Sequence, residues 1–260
     1  MGVPNHWACD YSYLGFALTD VADVVTNFAT QAVAMGWTLD GSYYKSPPDS
    51  MGRFCEVDLS SVGGGGGLQL EANVYDQNVV LIGTRRAYIT APAYCHMFVG
   101  PYYFHVDLMS GGGNEYVRGG ILDIYPIVSS PYADYTYMWG SRTSGGSLTT
   151  DQFVYLILGD SATTLFRQSS LKYLKLAEIG LDGSYLGKPC FVNAYPPVGA
   201  SPVRQGRLFQ HVAISDTNKP YFSRVVIPIA TGILGTFQIT CMPYYTSTGA
   251  ANARIGIRVA

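Results

Sequence analysis

The stretch YCHMFVGPYYFHVDL, from Tyr94 to Leu108, holds Cys95, His96, His105 and Asp107, all side chains that can ligate a metal or move a proton. A bound cation needs its donors to converge on one point. Successive strand residues point to opposite faces, so an extended chain sends Cys95 and His96 apart and leaves only His105 and Asp107 together. The other histidines, His6 and His211, are remote in sequence. The pattern therefore predicts polar strand residues, with no metal and no cofactor.

Nucleophilic chemistry has little more to stand on. The GDSAT segment at Gly159 resembles the Gly-Asp-Ser block of one esterase family, which also requires a late Asp-x-x-His. No histidine here has Asp three residues before it, and there is no G-x-S-x-G elbow. A phosphate cradle needs glycines that lead into a helix N-terminus. The run Gly63 to Gly67 leads instead into LQLEANV, an alternating pattern, and GSYLGKP at Gly183 has the wrong spacing for a P-loop. The acidic residues are scattered singly rather than paired, so glycoside hydrolysis has no visible dyad. No catalytic residue is assigned, and the chain is expected not to be an enzyme.

The elements that would position these residues are mostly strands. One segment, TDVADVVTNFATQAVAMGW, has helical periodicity, with Val21, Val24, Val25, Phe28, Ala32 and Val33 on one stripe. Thr19 or Asp20 can cap it, Asp23 suits the positive end of the dipole, and Gly36 stops it. This predicts an amphipathic helix over about residues 20–35 that packs on a sheet, with Trp37 and Leu39 anchoring its exit. Elsewhere the period is two. Short alternating runs such as RFCEVDLSS, QNVVLIGT, DQFVYLILGD and RLFQHVAIS, separated by Gly, Pro, Asn and Asp, predict a mainly β chain of sandwich or barrel-like antiparallel architecture. LDGSYY at Leu39 and LDGSYL at Leu181 read as a reused hairpin turn. A seam near Ser129 to Pro131 divides the expected organisation into residues 1–128, the helix with a first group of strands, and 129–260, a second group, unless both form one continuous β domain.

Composition limits the partners. The net charge is −2, with no local cluster of Lys or Arg to track a phosphate backbone, so nucleic acid is not expected. Charged residues make up 13% of the chain, about half the ~25% of an ordinary soluble domain. There are 21 tyrosines and 30 glycines, and mean hydropathy is +0.12. Few charges and many tyrosines suit a surface covered by neighbours, because a phenol ring gives contact area and its hydroxyl tolerates a wet rim. The uncharged stretch VVIPIATGILGTFQITCMPYY is interrupted by Pro228, Gly232 and Gly235 and is rich in β-branched residues. It reads as two buried strands around a turn, not as a membrane span. Five cysteines with no C-x-x-C spacing argue against disulfides or a zinc finger. The opening MGVPNHWACDYS lacks signal-peptide character. Both features fit a protein made in a reducing cytoplasm.

The tyrosines supply the candidate interface: Tyr102, Tyr103 and Phe104, then Tyr132, Tyr135, Tyr137 and Trp139, then Tyr244 and Tyr245. A helix ending in GW, extended strands, the block carrying Tyr94, His96, Pro101, Tyr102 and Phe104, and Gly119-Gly120 ahead of LDIYP resemble virion structural proteins of tailed bacteriophages, over Met35 to Pro126. The resemblance implies a component of the tail, baseplate or neck. Its partners would be copies of itself and other virion proteins, and it would be assembled in the host cytoplasm. Two alternatives share the β architecture: a carbohydrate- or receptor-binding module at a phage tail tip, and a capsid decoration protein. In the first, the aromatic face would stack on a glycan or host receptor.

Overall fold

A computed structural model describes residues 11–49, 52, 54–62, 67–74, 79–85, 93–110, 113–121, 123–124, 135–142, 153–158, 175–176, 188–194, 203–214, 220–230, 233–245 and 251–260. In chain order the elements of the first half are β1 (Ser12–Leu18), α1 (Val21–Ala34), β2 (Thr38–Asp40), β3 (Tyr43–Lys45), β4 (Cys55–Val62), β5 (Gly67–Val74), β6 (Val79–Arg85), β7 (Ala93–Val99), β8 (Tyr103–Ser110), β9 (Gly113–Ile121) and β10 (Asp123–Ile124). They continue as β11 (Tyr135–Arg142), β12 (Phe153–Leu158), β13 (Lys175–Leu176), β14 (Lys188–Ala194), β15 (Val203–Ile214), β16 (Arg224–Ala230), β17 (Ile233–Tyr245) and β18 (Ala251–Arg258).

The chain is mainly β, with three antiparallel sheets and one helix among the described residues. The first sheet runs β1-β7-β8-β9-β11-β12, and the second β2-β3-β4-β5-β6. The third runs β13-β14-β15-β18-β17-β16, with β10 paired to β15. The two halves expected on either side of residue 128 share sheets. Strands β11 and β12 complete the first sheet, and β10 belongs to the third. No helix among the described residues is long and apolar enough to cross a membrane. The uncharged stretch after Arg224 forms the antiparallel pair β16 and β17, although Val226 and Leu234 on it are exposed rather than buried.

Helix α1 begins where the sequence places it. Asp20 is the N-cap, its carboxylate accepts from the Ala22 amide at 3.0 Å, and Asp23 reaches back to the Asp20 amide at 3.1 Å. Bonds from the Thr19 hydroxyl, the Asp20 amide and the Thr19 amide hold the Asp23 carboxyl below its usual range. Gly36, at φ +88°, follows the end of the helix. Val21, Val24, Phe28 and Ala32 are buried, Val25 partly so, and Val33 is exposed. The real apolar stripe is therefore narrower than the periodicity suggested.

Phe28 shows how the helix joins two sheets. Its ring meets Trp37 edge-on at 6.2 Å, Tyr44 of the second sheet at 5.8 Å and Phe104 of the first at 5.2 Å. Around it lie Cys55, Val57 and Leu59 from β4, Cys95, Met97 and Val99 from β7, and Phe104, Val106 and Leu108 from β8. Trp37 anchors the helix exit, its indole donating to the Gly100 carbonyl at 2.8 Å. Leu39 does not, because it sits exposed on the β2–β3 hairpin, whose turn uses Gly41 at φ +63°.

Candidate functional site

The opening stretch folds as a hairpin, β7 and β8 joined across Gly100, Pro101 and Tyr102, with Gly100 N–H donating to the Tyr103 carbonyl at 2.8 Å. Alternation divides its side chains as expected. Cys95, Met97 and Val99 enter the core under α1, and His96 and Phe98 take the other face. Register then assembles the polar residues. His96 lies opposite Asp107, Phe98 opposite His105, and His105 opposite Arg118 of β9.

These groups are buried. His105 and Asp107 are inaccessible, and Arg118 nearly so. The Nε2 of His105 lies 2.5 Å from Oδ1 of Asp107, a close contact between ring nitrogen and carboxylate. A buried carboxylate demands such partners, because its desolvation is otherwise prohibitive. Since both groups are shut off from water, this pair serves the sheet rather than a substrate.

Nearer the edge, the Tyr13 hydroxyl of β1 is 2.7 Å from His96 Nδ1. Gly15, which pairs with His96 across β1 and β7, makes this approach possible. A Cβ at Gly15 would come 2.9 Å from the Tyr13 hydroxyl oxygen and 3.4 Å from His96 Nδ1. His96 is 8% exposed. Tyr94 tilts against it at 4.9 Å, and Phe222, from the turn before β16, stacks on it at 3.6 Å with the rings 2° from parallel. Burial disfavours the imidazolium and outweighs the attraction of Asp107, lowering the His96 pKa to about 4. Burial also raises the Tyr13 pKa, with Tyr94 adding to it and the Arg224 guanidinium, 5.9 Å from the Tyr13 ring centre, opposing.

Phe222 reaches His96 from a strained backbone. It is the one non-glycine residue with positive φ among the described residues, at φ 61°, a conformation that costs on the order of 1–3 kcal/mol. Neighbouring bonds hold it there. Phe222 N–H donates to the Ile239 carbonyl at 2.8 Å, Ile239 N–H donates to the Ser223 carbonyl at 3.0 Å, and Gln238 Nε2 donates to the Phe222 carbonyl. The turn thus presents one ring from the third sheet to an aromatic slot on the first.

The Cys95 thiol lies on the opposite face and is pushed upward by burial, and that of Cys55 is pushed up to about 12. No group of three or more His, Cys, Asp or Glu among the described residues is placed to hold a metal ion.

The predicted interface residues scatter. Tyr103 is 1% exposed and Phe104 fully buried, so both are core residues and leave the interface assignment. They point inward because β8 is covered on both faces. Tyr102 packs half-buried against the core. Tyr135, Tyr137 and Trp139 lie on β11 between β9 and β12, with Tyr137 opposite Ile121 and Trp139 opposite Gly119. Tyr244 and Tyr245 end β17 opposite Ala253 and Ala251. Tyr132 lies outside the described residues, as does the second hairpin turn at Leu181. Sequence reasoning missed Tyr13 and Phe222. The alternation in SYLGFAL signals the first, and nothing local signals the second. No family model and no curated protein matches the chain.

Proposed function

We propose that the protein is a structural subunit of a bacteriophage virion, in the tail, baseplate or neck, acting through contacts between copies of itself and with other virion proteins, and that it is not an enzyme. On this reading the three sheets stack as a sandwich-like body that is not closed into a barrel. The observation that carries it is the charge deficit, 13% of residues, on a chain whose open sheets leave large apolar side chains in solvent. Val226 is 61% exposed and Leu234 62%. Register puts the two on one face of the β16–β17 pair, since Val226 faces Thr236 and Pro228 faces Leu234. From Arg224 to Tyr245 the sequence has no other ionised residue. A sister subunit with the same uncharged surface complements that face better than an acidic or basic partner does.

Light scattering on the purified protein tests this reading. A mass of several subunits that persists in high salt is expected, because apolar contacts are not screened. A stable monomer at high micromolar concentration would refute it. Binding of the purified protein to a glycan array would favour the receptor-binding alternative.

A further inference from the structure

We propose that the Pro220–Ser223 turn is an acid-released latch, in which neutral His96 on the first sheet holds the Phe222 ring of the third and protonation of His96 lets it go. The Phe222 ring lies flat on His96 at 3.6 Å, and the strained φ of 61° aims it there. His96 itself is flanked by the rings of Tyr13 from β1 and Tyr94 from β7. A stacked lid leaves the imidazole almost no water, so a charge on the ring is solvated only when the lid lifts.

The ionisable groups around His96 do not cancel this effect. Asp107 of β8, opposite in register, attracts the cation but is shared with His105. Arg118 of β9 adds positive charge next to His105, and Arg224 of β16 adds it above the Tyr13 ring. Tyr13, its pKa raised by burial, stays a neutral phenol at acid pH, Tyr94 meets the imidazole through its ring, and Cys95 lies on the other face.

The direction follows from linkage. The closed form takes up a proton only near about 4, well below the ordinary value of 6.5, and lifting the lid hydrates the ring and moves uptake back toward that value. Closure is therefore at full strength above pH 6.5 and weakens as pH falls through that interval. Each pH unit across that interval contributes tenfold, so acidification favours the open latch by at most about three hundredfold overall. The latch belongs to one subunit and is independent of the virion reading.

The test is an NMR titration of the His96 ring protons in the intact protein and in the Phe222→Leu and His96→Phe variants. In the unmodified protein the upfield shift imposed by the stacked Phe222 ring should vanish on acidification, at a midpoint well below 6.5. In Phe222→Leu the shift should be absent and the His96 midpoint should move toward 6.5, since the coupling is reciprocal. In His96→Phe the Phe222 ring signals should not respond to pH over the same range, which separates latch release from general acid unfolding. Equal His96 midpoints with and without Phe222, a ring shift that survives below the midpoint, or an unchanged acid response in His96→Phe would each overturn the proposal.

Discussion

At the scale of single residues, the tightest constraint is a glycine. Gly120 has φ +141°, and a Cβ there would fall 2.1 Å from the Tyr102 carbonyl oxygen and 2.6 Å from the Tyr103 Cα. Both are backbone atoms, and the adjacent Ile121 N–H bonds that same carbonyl at 2.8 Å, so neither can withdraw. Gly120→Ala is expected to destabilise by at least ~3 kcal/mol, as a clash and a strained φ combined. Urea denaturation measures it, and a loss under 1 kcal/mol (an ordinary surface effect) would contradict the geometry. The residues of the buried face were only partly legible in the sequence. A period of two separates His96 and Phe98 from Cys95 and Met97, so their two faces could be read. The partner rings could not, because Tyr13 and Phe222 arrive from far along the chain. The backbone of Phe222 is one that its residue type disfavours. The interface assigned to Tyr103 and Phe104 failed for a related reason: alternation tells which residues share a face, not whether that face is covered.

At the scale of elements, local signals succeeded where the bonds themselves are local. The helix start was readable because Asp20 and Asp23 satisfy amides within their own turn. Asp20→Ala should cost about 1 kcal/mol of stability, read as a lower thermal midpoint. Asp20→Asn should restore most of the loss, since an amide oxygen can cap the same N–H. Failure of that rescue would mean that the carboxylate acts through charge alone. The exposed position Val33 was misread because periodicity gives the direction of a stripe but not its width. Strand β1 carries alternation just as clear, yet its place at the end of the first sheet beside β7 depends on a partner about eighty residues away. The same dependence on distant pairing hides the strand order of the third sheet from any local reading.

At the scale of the whole molecule, a sequence poor in charges raises the question of why the sheets do not simply extend by adding strands from other copies. Among the described residues, strand β16 ends the order of the third sheet. Thr236 exchanges bonds with Val259 and Ala260 beside β18, whereas Ile239 N–H bonds Ser223 beside β16. Odd-numbered β17 residues therefore bond toward β16, and through the register Val225 and Ile227 bond inward. Arg224, Val226 and Pro228 then turn their peptide groups toward the free edge. At Pro228 that edge lacks an N–H, so a docking strand meets a gap in the ladder. The two devices divide the work: the proline blocks strand addition, and the exposed side chains of Val226 and Leu234 remain available for face-to-face contact. If subunits associate through this face as proposed, replacing both with lysine should reduce the solution mass toward that of one subunit while leaving the denaturation midpoint nearly unchanged, because neither side chain contributes to the core. Pro228→Ala should act in the opposite sense, restoring the donor and promoting open-ended, β-rich aggregates that bind thioflavin. If Pro228→Ala leaves the particle size unchanged while Val226→Lys with Leu234→Lys disperses it, the edge is shielded by something other than the proline. If neither changes it, subunits do not meet on the β16–β17 side of the third sheet.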